Sequence, residues 1–326
     1  MEATEASRWL ATAVERSVLE GHDGRSGAAL ERVRMADGSR FVVKRSVART
    51  DLTMQFSGDD VGRELTLWET GVLDRLPAGI GHAIVGGWRD GEAVVVVMRD
   101  LGDAVITWDT PIGRAECRRL FTAAASMHAA FAGRHEDGLC PLDRRLSLLA
   151  PRTLRTIPAG QHPLVDTALA GWERFAEVVP SDVADAVAAI HEDVGGLTAA
   201  LAARETTLVH GDLWVVNAAF EGDGVVLIDW GLATEAPGAF EFTTFLMGAS
   251  HVAVTRDDLL EEVRAANGDN HDDTALRLAL LASLADLGWN KALDATSEDE
   301  ALSAGETAAL NWWVDQARLT LDLGLL

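Results

Sequence analysis

The stretch that decides the fold is LVHGDLWVVN, residues 208–217, which is followed by VVLIDWG, residues 225–231. Each stretch contains an apolar run of high β-propensity, and a Gly-Asp-Gly turn separates them, so we predict a β-type island over residues 207–228. The sequence around this island has helical periodicity. We predict helices at residues 113–131, 164–179, 181–203, 256–266, 273–287 and 304–323.

The polar residues of this island are of the types that phosphate chemistry requires. The loop that begins at His210 is expected to turn back, so that Asp212 and Asn217 face one small volume, while His210 braces the loop. A carboxylate such as Asp212 can accept the proton of an attacking hydroxyl group. The amide oxygen of Asn217 and the carboxylate of Asp229 are the hard oxygen ligands that Mg²⁺ prefers. The alternative is a turn whose polar side chains satisfy only its own backbone.

The first hundred residues are predicted to form strands joined by tight turns, after a short amphipathic helix at residues 5–17. Strong turn signals stand at Asp37-Gly38 and Asp90-Gly91. A helix is expected between the two hairpins, over residues 61–76. We therefore predict an α+β, bilobal fold with an antiparallel-sheet lobe and a mainly helical lobe. The predicted boundaries are 1–98 for the nucleotide-binding lobe, 99–104 for the link, and 105–326 for the helical lobe with the catalytic loop and substrate site.

Lys44 ends the β-type run Phe41-Val-Val-Lys44 and is one of only two lysines in the chain, the other being Lys291. A lysine at the end of such a strand is typical of the residue that contacts the α- and β-phosphates of a nucleotide. Glu64, on the following helix, is predicted to pair with it. The alternatives are an exposed lysine and an exposed glutamate.

Two further segments are predicted to contact the nucleotide. Backbone amides in the glycine-containing loop at residues 21–27 could approach an anion, although a flexible turn is the alternative. The run VVVVMRDL, residues 94–101, is expected to enter the link between the lobes, where an adenine needs main-chain partners; an ordinary buried strand end is the alternative. The residues predicted from these segments are Gly24, Arg25, Ser26, Met98, Arg99 and Leu101.

Together these motifs resemble the aminoglycoside phosphotransferase and choline kinase-like family, which has a protein-kinase-like fold. The order of motifs covers about residues 18 to 248. The His-Gly-Asp and Asp-Trp-Gly forms distinguish this family from protein kinases, which carry Arg and Phe at the second positions. The resemblance implies ATP or GTP as co-substrate, Asp212 as the base, Asn217 and Asp229 as Mg²⁺ ligands, and Lys44 as the phosphate ligand.

The sequence also departs from this family. Trp214-Val-Val occupies a place where many members have a small turn, and the Asp-Leu-Trp form looks like that of fructosamine kinases. Glu241 stands where relatives often have an aspartate after Pro-Gly. No Ala-Pro-Glu segment with a long activation loop follows Asp229, which argues against a peptide substrate.

Relatives build the acceptor site from the helical lobe, where aromatic faces and carboxylates could hold a sugar or an amine. Packing in the core is the alternative for each tryptophan, and solvation for each carboxylate. The candidates for acceptor binding are Trp214, Glu241, Trp289, Asn290 and Asp315.

The composition excludes several other functions. The chain has 51 acidic and 28 basic residues and a net charge of −23, so nucleic acid and anionic membranes are poor partners. Cys117 and Cys140 are not spaced as a zinc site or disulfide framework, which fits a reducing compartment. The N-terminus lacks the basic and apolar regions of a signal peptide, and we predict a cytoplasmic protein.

The sequence therefore favours a kinase that phosphorylates a hydroxyl of a small molecule. It does not distinguish inactivation of an antibiotic from phosphorylation of a sugar or amino-alcohol metabolite. A pseudokinase that binds a nucleotide without turnover is the rival from another class of protein. The intact set of Lys44, Asp212, Asn217 and Asp229 argues against it.

Overall fold

A computed structural model describes residues 3–19 and 26–325 of the chain. Contacts divide the chain into two interleaved units. Unit 1 comprises Met1–Thr110, Glu136–Cys140 and Trp214–Ala233, and unit 2 comprises Pro111–His135, Pro141–Leu213 and Thr234–Leu326. The domain boundaries drawn from the sequence, with a link at 99–104, stay a prediction.

The strands of both units are short, and most of them pair antiparallel. In chain order they are β1 (Glu15–Val18), β2 (Ala29–Arg34), β3 (Arg40–Val47), β4 (Ile80–His82), β5 (Ile84–Asp90), β6 (Ala93–Arg99), β7 (Thr207–Val209), β8 (Ala218–Glu221), β9 (Gly224–Leu227) and β10 (Thr234–Ala236).

The helices are concentrated in unit 2, where α4 to α13 lie. In chain order they are α1 (Ala3–Leu10), α2 (Leu52–Ser57), α3 (Arg63–Glu69), α4 (Arg114–Phe131), α5 (Leu142–Leu146), α6 (Pro151–Leu154), α7 (Pro163–Val178), α8 (Ser181–Glu192), α9 (Gly195–Ala202), α10 (Ala239–Met247), α11 (Arg256–Asn267), α12 (Asp273–Ala295) and α13 (Glu300–Leu321). Among the described helices, none is both long and apolar enough to cross a membrane.

The main sheet of unit 1 has the strand order β1-β2-β3-β6-β5. Both predicted hairpin turns are confirmed, since β2 and β3 flank Gly38 and β5 and β6 flank Gly91. Each glycine has a positive φ, 88° and 60° respectively, which a residue with a side chain rarely adopts. The second sheet, β4-β9-β8, contains the hairpin predicted around residue 223.

Helix α1 covers one face of the main sheet, where Ala6 and Leu10 pack with Val33, Val95 and Trp88. The helix is shorter than the predicted 5–17. It ends at Leu10 because the chain then pairs with β2 to form β1. The backbone pairing of β1 with β2 outweighs the local helical pattern, although all four residues of β1 are exposed.

Helix α12 forms the centre of unit 2, and nearly its whole surface is buried against α7, α10 and α13. The predicted helix at 181–203 is two helices, α8 and α9. The break falls at Asp193, whose carboxylate accepts a hydrogen bond from Gly195 N at 2.8 Å. A short polar side chain that bonds its own backbone and two glycines together favour a helix end here.

Candidate active site

Lys44 lies on β3 opposite Val96 of β6, and its side chain is only 15% exposed. Its Nζ donates to Glu64 Oε2 at 3.0 Å and to Asp229 Oδ1 at 2.6 Å. Burial disfavours the ammonium, but the two carboxylates outweigh burial and raise the pKa of Lys44. Three residues far apart in the sequence thus form one charged cluster, with the pairing of Lys44 and Glu64 as predicted.

Glu64 reaches Lys44 because of how α3 begins. The carboxylate of Asp59 accepts hydrogen bonds from the backbone N–H groups of Gly62 and Arg63, which satisfies the first turn of the helix. Gly62 has a φ of 83°, and a Cβ added there would lie 2.5 Å from Val94. The glycine therefore lets α3 approach β6 closely, which places Glu64 beside Lys44.

Asp229 follows β9 in a left-handed conformation, with φ 64° and ψ 63°, and is the one non-glycine residue with positive φ in the described part of the chain. Such a conformation costs free energy and is typical of functional loops. Arg63, which is 4% exposed, holds the loop by donating from Nη1 to Gly231 O at 2.5 Å. Trp230, the residue after Asp229, is completely buried.

Asn217 directly precedes the β8–β9 hairpin, and Asp229 closely follows it. The carbonyl of Asn217 accepts a hydrogen bond from Ile228 N at 3.0 Å, one residue before Asp229. Both side chains offer oxygen donors, and the Asp229 side chain is 47% exposed. This donor set has the chemistry that Mg²⁺ requires.

A pocket of unit 1 surrounds this cluster, and Val94 and Val96 of β6 form one wall. Ser26, which was predicted to contact the nucleotide, lines the pocket and donates to Asp51 Oδ2 at 3.1 Å. Gly24 and Arg25 lie outside the described residues. Asp51 was not predicted; burial raises its pKa. The sequence signal for it was an aspartate immediately before an apolar run, which is typical of a helix N-cap.

The remaining predicted nucleotide contacts lie at the end of β6. Met98 is buried and, by the two-residue period of a strand, shares its face with Val94 and Val96. Leu101 is also buried. The guanidinium of Arg99 bonds both carboxylate oxygens of Glu221, at 2.5 and 2.6 Å. This ion pair engages the Arg99 side chain, and the Arg99 backbone N–H donates to Ala83 O at 2.9 Å. A contact between Arg99 and the nucleotide stays a prediction.

The loop that carries Asp212 belongs to unit 2 and follows β7, which pairs with β10. His210 is completely buried. Its role in bracing the loop stays a prediction. Gly211 has a φ of 79°, so the backbone turns sharply before Asp212. Asp212 is partly exposed at the end of this turn.

The structure differs from the prediction for Glu241, which was a candidate for acceptor binding. Its side chain is completely buried. The carboxylate accepts hydrogen bonds from the backbone N–H groups of His210 and Gly211. Glu241 therefore holds the backbone of the loop that carries Asp212, and its side chain has no exposed surface for a ligand.

Trp289 is also a core residue, only 4% exposed, with its backbone packed against Gly171 of α7. The neighbouring Asn290 is partly exposed and Asp315 is exposed. Trp214 is partly exposed and packs edge-to-face against Trp108, with ring centroids 6.1 Å apart. Of the predicted acceptor residues, only Glu241 and Trp289 are buried.

The fold and the family defined below give the class of this protein: a phosphotransferase with a protein-kinase-like fold. The sequence profile of the phosphotransferase enzyme family matches residues 66–281. The chain belongs to this family.

Solved structures agree on the fold. Choline kinase LicA from Streptococcus pneumoniae superposes with a TM-score of 0.58 at 11% identity, covering 96% of this chain and 97% of that one. An aminoglycoside phosphotransferase from Streptomyces rimosus gives a TM-score of 0.53 at 17% identity, covering 88% and 99%. Another, from Alicyclobacillus acidocaldarius, gives 0.52 at 15% identity, covering 100% and 96%. A comparison with curated protein sequences gave no match.

Proposed function

We propose that this protein transfers the γ-phosphate of ATP or GTP to a hydroxyl of an antibiotic or of a sugar or amino-alcohol metabolite. The observation that carries the proposal is the bonding of Lys44 to both Glu64 and Asp229 inside one pocket. A lysine held in this way presents a fixed ammonium to phosphate oxygens. The Streptomyces rimosus enzyme, which shares the fold, has been crystallised with ADP and streptomycin, which supports a nucleotide as the donor.

In the proposed mechanism, Lys44 binds the α- and β-phosphates, and Asp212 orients the acceptor hydroxyl and takes its proton. The acceptor oxygen forms a bond to the γ-phosphorus as the bond to the β,γ-bridging oxygen breaks, and the nucleoside diphosphate leaves. Asn217 and Asp229 would hold Mg²⁺, which neutralises charge on the phosphate oxygens when bound. Catalysis of this kind depends mainly on positioning and electrostatics.

The acceptor is proposed to bind against the Trp108–Trp214 pair of unit 1. Partly exposed indole rings can stack on a sugar or contact an ammonium group. Asn290 and Asp315 remain candidates for polar contacts, since both side chains reach the surface of unit 2.

The test is consumption of ATP and of GTP with a panel of aminoglycosides, macrolides, nucleoside antibiotics, hexosamines and choline. Transfer is verified by the mass of the phosphorylated product. Asp212→Asn is the matched control, because it keeps the shape of the base but cannot take a proton. It should lower kcat by roughly 10²–10⁴-fold while nucleotide affinity stays nearly unchanged. A protein that binds nucleotide but phosphorylates no hydroxyl compound would contradict the proposal.

A further inference from the structure

Arg145 of α5 is a buried arginine bonded to the backbone of the catalytic loop. Its side chain is 2% exposed. Its Nε donates to Gly211 O at 2.7 Å, and its Nη1 donates to Asp286 Oδ2 of α12, also at 2.7 Å. Its guanidinium carbon lies 5.3 Å from the ring centroid of Phe240, which adds a cation–π contact.

The carbonyl that accepts from Arg145 belongs to the peptide group that joins Gly211 to Asp212. On the other side of Gly211, the Glu241 carboxylate accepts the N–H groups of His210 and Gly211. The backbone before Asp212 is therefore held by a cation from α5 and an anion from α10. Without the Arg145 bond, the peptide could rotate about the glycine, whose φ and ψ are the least restricted of any residue.

The ion pair of Arg145 and Asp286 is better explained by a role in positioning the loop backbone than by a contribution to stability. Both side chains are nearly inaccessible, at 2% and 3% exposure, so both charges lose hydration. Asp286 Oδ1 is buried without a hydrogen-bond partner among the described residues. Two apolar residues often stabilise a core as well as a buried ion pair does. The feature that apolar residues cannot reproduce is the bond to Gly211 O.

We propose that Arg145 is a positioning residue for the catalytic base, which fixes the Gly211–Asp212 peptide so that the Asp212 carboxylate meets the acceptor hydroxyl. This inference rests on the proposed function, in which Asp212 takes the proton. Asp286 holds Arg145 in place and neutralises it.

The test replaces both charges, in Arg145→Met with Asp286→Leu, so that no unpaired charge stays in the core. We expect a folded protein whose kcat is lower by roughly 10²-fold, as when a catalytic group is displaced by about an ångström, with KM for both substrates nearly unchanged. Lys291→Met with Glu306→Leu is the matched control, since it removes another buried pair of unit 2 and should keep kcat.

A second measurement does not depend on turnover. Hydrogen exchange of the His210 and Gly211 amides, followed by NMR in the ligand-free protein, should speed up in the Arg145/Asp286 variant and not in the control. If the wild-type protein phosphorylates nothing, the proposed function fails and this exchange alone decides the inference. Wild-type protection of these amides, or wild-type kcat, in the folded variant would overturn it.

If the double variant does not fold, Arg145→Lys takes its place. Lysine keeps the charge beside Asp286, but a single ammonium does not reproduce the two directed bonds of a guanidinium. The same fall in kcat and the same loss of protection are expected. A wild-type kcat, or wild-type protection of the two amides, in Arg145→Lys would again overturn the role assigned to Arg145.

Discussion

The two lysines of this chain lie in different units, and both are bound to a glutamate. Lys44 of unit 1 pairs with Glu64 at 3.0 Å, and Lys291 of unit 2 pairs with Glu306 at 2.9 Å. Their pKa values nevertheless shift in opposite directions. Burial lowers the pKa of Lys291 despite Glu306, whereas the pKa of Lys44 is raised because a second carboxylate, Asp229, adds to the first.

The difference also concerns solvent. Both partners in the Lys291 pair are 4% exposed, which is the setting of a buried contact between α12 and α13. In the Lys44 cluster Asp229 is 47% exposed, so a ligand can reach the charges. A buried lysine with a glutamate is thus not by itself evidence of a phosphate site. The second carboxylate and the open pocket distinguish the two.

The largest effect is expected for Asp229→Ala. This substitution removes the second carboxylate, which distinguishes the Lys44 cluster from the Lys291 pair. We expect turnover to fall by more than roughly 10³-fold, because an electrostatic clamp on the transferred phosphoryl group is lost. Added Mg²⁺ should not restore it at practical concentrations. Initial rates over a magnesium titration measure this, and near-normal activity would mean that the metal site lies elsewhere.

The lysines themselves are compared by the same substitution. Lys44→Met should lower kcat/KM by roughly 10²–10³-fold, the usual cost of one electrostatic donor, with the fold retained. Lys291→Met should keep kcat/KM in the folded fraction but lower the free energy of unfolding by about 3–5 kcal/mol, because the buried Glu306 loses its salt-bridge partner. Equal losses of activity in both variants would contradict the assignment of Lys44 to the active site and of Lys291 to the core.

A nucleotide acyl-phosphate probe should label Lys44 and leave Lys291 nearly untouched. A bound probe holds its carbonyl next to Lys44, and proximity gives a high effective concentration. Lys291 is enclosed between helices and meets no probe. Peptide mapping by mass spectrometry measures the labelling of Lys44 relative to that of Lys291. Unlabelled nucleotide with Mg²⁺ should suppress labelling of Lys44. Labelling of both lysines without competition would place Lys44 outside the site.

The smallest effect is expected for Lys291→Met combined with Glu306→Leu. Replacing a whole buried ion pair by apolar residues is often neutral or stabilising by about 1–4 kcal/mol. Chemical denaturation should therefore give an unfolding free energy at or above that of the wild type, with kcat unchanged. A strong loss of stability would show that Arg256, whose pKa burial lowers, depends on Glu306 for its compensation.

Local patterns were sufficient for much of this fold. The Asp-Gly dipeptides at residues 37 and 90 predicted both hairpins, because only glycine adopts the required backbone easily. Patterns were insufficient where tertiary pairing competed. The helix predicted at 5–17 gives way to β1, and α10, in which Phe240 to Met247 are all buried, was not predicted. A helix buried on every side has no polar face to reveal its period.

The candidate site is divided in the same way, into residues that local patterns predicted and residues whose place was decided by tertiary packing. The charged cluster of Lys44 and Glu64 was predicted from their spacing and strand context, and Asp229 from its motif. Glu241 and Trp289 were predicted to bind an acceptor, but both are buried. Burial is a property of the packed chain, and an acidic or aromatic residue type does not specify it.

The sequence by itself determined the phosphotransferase family and its fold, because the His-Gly-Asp and Asp-Trp-Gly motifs join fixed residue types at fixed spacings to apolar strands. Only the tertiary structure decided which side chains hold the backbone of those motifs in place. Arg63 bonds Gly231, Arg145 bonds Gly211, and Glu241 bonds His210, each across 31 to 168 residues of chain. These side chains bond backbone atoms, which every residue carries, so the partner's identity leaves no pattern in the sequence.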